Sequence, residues 1–319
     1  MHPATRSLPK RWLYALKPAS WAKLLVPALL GQVIGWCASG SFSGGGLAVG
    51  MACTLLMLVY IVLLNDYGDM EVDTLKRSLF PDGCSPKTIP DGVLHETSVL
   101  LAGLGAGAMV VAVAICGELF LDRPGLGLCG ALCVVPLILY TFAPLRLNYR
   151  GGGEFLEMIG VGLLLPGFNA LAQGGLWMPP LFLVLAPGLM LLALASAIAS
   201  GLSDEVSDER GGKCTFVTEF GNASARSAIE NLMLGGSLLW SVGARLHPEI
   251  LSPLLVTPAA VVVLLCWQQM VKVSPRARTS AFHPIKRYKQ WLHRGIWGSG
   301  IALALVLLVA HLILPSGYL

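Results

Sequence analysis

The sequence predicts an all-α polytopic membrane protein with nine transmembrane helices, on three observations. Hydrophobic residues make up 55% of the 319 and charged residues only 13%, against about 25% charged in an ordinary soluble domain. Mean hydropathy is +0.70. The apolar residues gather into continuous runs close to the roughly 20 residues that cross the hydrocarbon core as a helix, without the alternation of a membrane strand.

The N-terminal MHPATRSLPKRWLYALKP is basic and broken by prolines, and the run after it has no small-residue cleavage site, so no cleavable signal is expected. The first run, 21–39, follows or contains five Lys or Arg, and the second, 45–64, leads into three more within 65–96. The third and fourth, 97–117 and 126–143, enclose a loop with Arg123 alone. Two basic residues in 144–154 precede the fifth, 155–173; the sixth, 180–200, is followed by three in 201–227. The seventh and eighth, 228–244 and 251–271, enclose only Arg245, and seven basic residues in 272–294 precede the ninth, 295–314. Thus 20 of 22 basic residues lie on one side, which puts the N-terminus in the cytoplasm and the C-terminus outside. The sequence pI of about 8.6 is then a consequence of topology, and no nucleic-acid partner is needed to explain it. Segment 283–294, HPIKRYKQWLHR, reads either as an interfacial helix against anionic headgroups or as a solvated linker.

Eight cysteines sit mostly inside apolar runs with no CxxC pair, and read as small hydrophobes rather than a disulfide or zinc framework. Six scattered histidines offer no facing pair for haem. Fifteen of 18 acids share the basic side, the exceptions being Glu118, Asp122 and Glu249. A transporter would need acids along a path across the membrane instead.

Two acidic clusters stand out on that side. LLNDYGDMEVDTLKR (63–77) places Asp66, Asp69 and Asp73 at helical spacings of three, four and seven, with Asn65 four before Asp69. Three carboxylates on one stripe repel unless a cation lies between them. GLSDEVSDERGGKCT places Asp204 and Asp208 four apart after the sixth run. Oxygen donors of this kind suit Mg²⁺, which leaves coordination sites for phosphate oxygens. Cations for the remaining phosphate charge are Lys87, Arg146, Arg150, Arg210 and Lys213. Tyr140 is either an aromatic face for a carbocation or acceptor or an interfacial tyrosine. Asn169 either lines a cavity or makes a packing hydrogen bond. GGGE at 151–154 lacks the GK[ST] of a phosphate loop.

NDYGDMEVD (65–73) resembles the N-D-x-x-D-x-x-x-D signature of the UbiA superfamily of intramembrane prenyltransferases, and DEVSDERGGKCT (204–215) its second acidic motif. YTFAPLRLNYRGGGEF (140–155) is similar to the Y-T…Y-x-x-x-G-[DE] loop of the branch that prenylates 1,4-dihydroxy-2-naphthoate in menaquinone synthesis. SPKTIPDG (85–92) is closer to the R-P-I-P-S-G loop of the hydroxybenzoate and chlorophyll branches, with Lys87 in place of Arg, and Gly201 stands where some members have a third Asp. The resemblance implies a single domain over 1–319, with nine helices around a central cavity that opens to a polar cap on the cytoplasmic side. It implies an enzyme of the cell membrane that alkylates an aromatic acceptor with a polyprenyl diphosphate. Mg²⁺ would be held by Asn65, Asp66, Asp69, Asp73, Asp204 and Asp208. Other superfamily outcomes, a different acceptor or cyclisation of the prenyl cation, stay open at this stage.

Overall fold

The computed structural model describes residues 3–81 and 85–313; His2, Cys84 and residue 314 of the ninth run lie outside them. All regular structure among the described residues is helical. The chain runs α1 (Leu8–Ala15), α2 (Ala22–Ser39), α3 (Gly44–Gly68), α4 (Met70–Leu79), α5 (Glu96–Leu121), α6 (Leu126–Thr141), α7 (Leu147–Arg150) and α8 (Gly153–Ile159). A π-helical turn, Gly160–Leu164, joins α8 to α9 (Leu165–Gly174). There follow α10 (Pro180–Gly201), α11 (Glu205–Arg210), α12 (Phe216–Leu246), α13 (Pro253–Val273) and α14 (Phe282–Ile313).

Eight of the nine apolar runs overlap one helix each, with residues 21, 142–143 and 251–252 outside the helix ends, and the run 155–173 spans α8, the π turn and α9. Among the described residues seven helices are long and apolar enough to cross a membrane: α2, α3, α5, α8 to α9 across the π turn, α10, α13 with its last turn, and α14. The other two predicted spans fall short for separate reasons. Helix α6 has 16 residues, about 24 Å at the helical rise, and the run 228–244 in α12 holds Glu230 and Asn231 and is flanked by Arg226 and Arg245. Of the two alternatives for 283–294, the solvated linker is replaced by helix. That segment is the first third of α14 and runs into the span without a break, because its own apolar residues Ile285, Tyr288 and Leu292 are buried at helical spacing.

The principal pairings are α3 with α5, α10 with α12, α13 with α14, and α2 with α9, and α14 returns to α2 to close the bundle. Small residues permit the closest of these approaches. A Cβ on Gly35 would lie 2.4 Å from the Ala170 carbonyl oxygen, and one on Gly174 2.4 Å from the Gly35 oxygen. Gly35→Val is therefore expected to destabilise the α2–α9 pair by about 1–3 kcal/mol or more, seen as a lowered midpoint of thermal unfolding in detergent.

Helix ends are satisfied locally. The Ser43 hydroxyl accepts the Gly46 N–H, and Thr215 with Thr218 forms a reciprocal capping box on α12. The Glu118 carboxylate accepts the N–H groups of Gly125 and Gly127 at 3.1 and 2.7 Å, which places negative charge at the start of α6. The π turn has a chemical cause in Pro166, which has no N–H to donate into the regular ladder at the start of α9.

Candidate active site

Both acidic clusters occur at helix junctions at one end of the bundle. Asn65 and Asp66 end α3, and Asp73 lies in α4, but Asp69 between them has φ −103° and ψ 9°. The three carboxylates thus do not share one stripe of a continuous helix, as their spacing suggests. The chain bends at Asp69, while hydrogen bonds from Asp69 N to Asn65 O (3.0 Å) and Asp73 N to Asp69 O (2.8 Å) keep both sides in near-helical step. The second cluster is built the same way. Asp204 precedes α11, Asp208 lies within it, and Asp208 N bonds Asp204 O at 2.8 Å.

A lysine meets each of the five carboxylates. Asp66 pairs with Lys17 and accepts the Thr88 hydroxyl; Asp73 pairs with Lys87 and Asp204 with Lys76. Lys213 joins the two clusters, 2.7 Å from Asp69 Oδ1 and 3.9 Å from Asp208 Oδ1. Asn148 Nδ2 donates to Asp69 at 3.2 Å. Burial pushes the Asp208 carboxyl up to about 6 against the pull of Lys213, and burial likewise raises Asp73 despite Lys87. On Lys213 burial opposes the charge, but Asp69 and Asp208 outweigh it and raise its pKa. Among the described residues, no three acidic, Cys or His side chains converge on one point; ammonium groups stand between the acids.

The loop that delivers Lys87 and Thr88 is anchored by Asp91, which accepts Tyr14 Oη–H (2.6 Å), the Lys87 N–H (3.0 Å) and Arg77 (2.8 Å). Burial would raise the Asp91 carboxyl, but these donors outweigh it and lower its pKa. The RGGGE stretch also has a local reason. Gly151 and Gly152 have φ of 84° and 99°, the left-handed region that favours glycine. A Cβ on Gly153 would come within 2.9 Å of the Tyr140 ring. The turn thereby seats Tyr140 against α8 and aims Glu154 at the start of α12, where it accepts the Phe216 N–H at 2.8 Å.

Two cavities abut here. A polar one of about 190 Å³ is lined by Asp69, Asn148, Glu154, Asp204, Asp208 and Lys213, among others. An apolar one of about 100 Å³ is lined by Leu24, Met57, Ile61, Leu137, Val161 and Leu165, among others. Lys23, Asn65, Tyr140 and Glu157 line both. The buried carbonyl oxygens Asn65 Oδ1 and Asn148 Oδ1 have no hydrogen-bond partner. Orphaned amide oxygens beside the cavity-lining carboxylates Asp69, Asp204 and Asp208 form a hard-oxygen donor set, the chemistry a Mg²⁺ ion takes.

Of the other expected residues, Arg146 donates to Gly68 O at 3.2 Å and stacks over Tyr149, with its guanidinium carbon 3.8 Å from the ring centroid. Arg150 and Arg210 are exposed and face neither cavity. Asn169 is fully buried in a packing network, bonded to Gln32 (2.9 Å), Thr54 (3.2 Å) and Leu165 O (3.0 Å), and lines neither cavity. Gly201 lines the polar cavity beside Val217. Sequence reasoning passed over Lys17, Lys76, Thr88 and Asn148, whose roles come from long-range folding alone. It also passed over Lys23 and Glu157, although a charge inside an apolar run was a visible signal.

Residues 24–293 match the model of the UbiA prenyltransferase family. The 1,4-dihydroxy-2-naphthoate octaprenyltransferase of Mycobacterium leprae (strain TN) is 25% identical over 230 residues, 72% of this chain and 76% of that protein. A UbiA homologue from Archaeoglobus fulgidus, solved with GPP and Mg²⁺, superposes with a TM-score of 0.67 at 16% identity, covering 92% of this chain and 99% of the other. A homologue from Aeropyrum pernix K1 gives 0.58 at 16% identity, covering 89% and 96%.

Proposed function

The chain belongs to the UbiA prenyltransferase family, and on that premise we propose that it transfers a prenyl group from an allylic diphosphate to an aromatic acceptor, 1,4-dihydroxy-2-naphthoate. The observation that carries the reading is the polar cavity, in which residues of both acidic motifs meet, opening onto an apolar one through Asn65 and Tyr140. The A. fulgidus homologue bound to GPP and Mg²⁺ supports the donor and the metal; the M. leprae relative supports the acceptor.

Asp66, Asp69, Asp73, Asp204 and Asp208, with Asn65, would hold Mg²⁺. When bound it supplies positive charge against the charge that grows on the departing diphosphate. Lys87 and Lys213, which pair with these acids, would act as point charges toward the phosphate oxygens. Arg146 packs the α6–α7 connection against the end of α3. The apolar cavity takes the prenyl chain and keeps water from the allylic carbon. The Tyr140 ring, at the mouth of both cavities, offers its face to the developing cation. The acceptor's ring carbon bonds to that allylic carbon as the C–O bond breaks, and the ring then loses a proton.

The Lys and Arg asymmetry supports an N-terminus in the cytoplasm, with the polar cavity on that side of the cell membrane. The test incubates purified protein with prenyl diphosphates of several lengths and separate acceptors, with Mg²⁺ or EDTA, and weighs the products. A Mg²⁺-dependent prenyl adduct of dihydroxynaphthoate is expected. A cyclised hydrocarbon, or an adduct of hydroxybenzoate alone, would overturn the acceptor assignment.

A further inference from the structure

One charged pair lies apart from the acidic motifs. Lys23 Nζ of α2 is 2.6 Å from Glu157 Oε1 of α8, and both side chains keep 24% exposure. Each lies in the first two turns of a segment apolar enough to cross the membrane, Ala22–Ser39 and Gly153–Gly174, and neither belongs to an acidic motif. Glu157 lines both cavities, and Lys23 lines those two and a third of about 40 Å³ between α2, α10 and α14.

Their place sets their chemistry. If the diphosphate occupies the polar cavity and the chain the apolar one, the reacting carbon lies where the two cavities share a wall. Of the four residues on that shared wall, Asn65 belongs to the first acidic motif and Tyr140 is an aromatic face. Lys23 and Glu157 are the two that carry charge. A neighbouring lysine, Lys289, is engaged at 3.2 Å with Ser203 and lines none of the three cavities.

We propose that Lys23 and Glu157 form the acceptor subsite and select a hydroxyaromatic acid. The ammonium takes the acceptor's carboxylate as a charge-assisted partner, and the Glu157 carboxylate, released from Lys23, accepts the hydroxyl proton as a hydrogen bond. In the absence of acceptor the two side chains neutralise each other, which keeps a buried charge from standing unpaired. The pair is thus a specificity determinant: a ring without the acidic group leaves the salt bridge intact and gains nothing from it. This rests on the prenyl-transfer reading for what occupies the cavities, but the binding claim is testable without turnover.

The experiment measures binding of 1-hydroxy-2-naphthoate and of 1-naphthol to purified full-length protein in detergent, for wild type, Lys23→Met and Glu157→Gln, with prenyl transfer assayed in parallel. Wild type is expected to bind the acid at least 10-fold more tightly than the naphthol. Lys23→Met should erase that preference while naphthol binding changes less than about twofold, which also shows that the variant is folded. In turnover, the KM for the acid acceptor should rise about 10-fold or more in both variants, with the KM for the prenyl diphosphate unchanged. Equal wild-type affinity for the two probes, or an intact preference in Lys23→Met, overturns the subsite. If wild type transfers no prenyl group to any aromatic acceptor and Lys23→Met still loses the acid preference, the subsite stands and the transfer reading falls.

Discussion

Asp69→Ala is expected to lower prenyl transfer by about 100–1000-fold, the usual cost of removing one group that stabilises developing charge in a closed site, with the protein still inserted and monodisperse. Asp69 is the acid at which three parts of the chain meet. It ends α3 and begins α4, accepts Asn148 from α7 and pairs with Lys213 from beyond α11. Its removal takes a donor from the polar cavity and leaves Lys213 with Asp208 alone. The readout is diphosphate release in a timed assay, alongside size-exclusion elution to show an intact fold. Turnover within tenfold of wild type would remove Asp69 from the site.

Lys213→Met has the second-largest expected effect, and its sign follows from electrostatics. Burial raises Asp208 to about 6, so the group is a carboxylate above that pH and neutral below it. Lys213 is the strongest influence holding that value down. Without the lysine the Asp208 pKa climbs further, a smaller share is ionised near neutrality, and the acid limb of the Mg²⁺-binding profile, where protons compete with the metal for this carboxylate, moves to higher pH. The expected displacement is about 1–3 units, typical of a lost opposite charge at this range, together with a higher KM for the prenyl diphosphate. An unmoved acid limb with an unchanged KM would show that Lys213 does not tune the site.

The parts of the site that the sequence made visible are those with short-range periodicity. Asp66, Asp69, Asp73, Asp204 and Asp208 are recognisable by spacing, and Tyr140 by its place near the end of an apolar run. The bend at Asp69 was hidden because the i, i+4 hydrogen bonds persist on both sides of it, so helical spacing survives where helical geometry does not. The lysine that answers each acid could not be read locally. Lys17 lies 49 positions from Asp66, and Lys76 meets Asp204 only because α4 packs on α11. Lys23 and Glu157 were visible as charges within apolar runs, but counting basic and acidic residues by side absorbed them into helix ends. Segment 283–294 stayed open between helix and linker because its basic residues suit both, and the burial of Tyr288 and Leu292 along one face of α14 decides for helix.

On the proposed function, two acidic clusters, 130 or more positions apart in the chain, make one diphosphate site that works through a divalent cation. The most direct test is equilibrium binding of a non-hydrolysable geranyl thiodiphosphate to the purified protein, with Mg²⁺ and with EDTA, for wild type, Asp69→Ala and Asp208→Ala. Binding is expected to require Mg²⁺ in the wild type and to be lost in both variants, one from each cluster. Tight binding in EDTA, or binding retained when either cluster is broken, would contradict it.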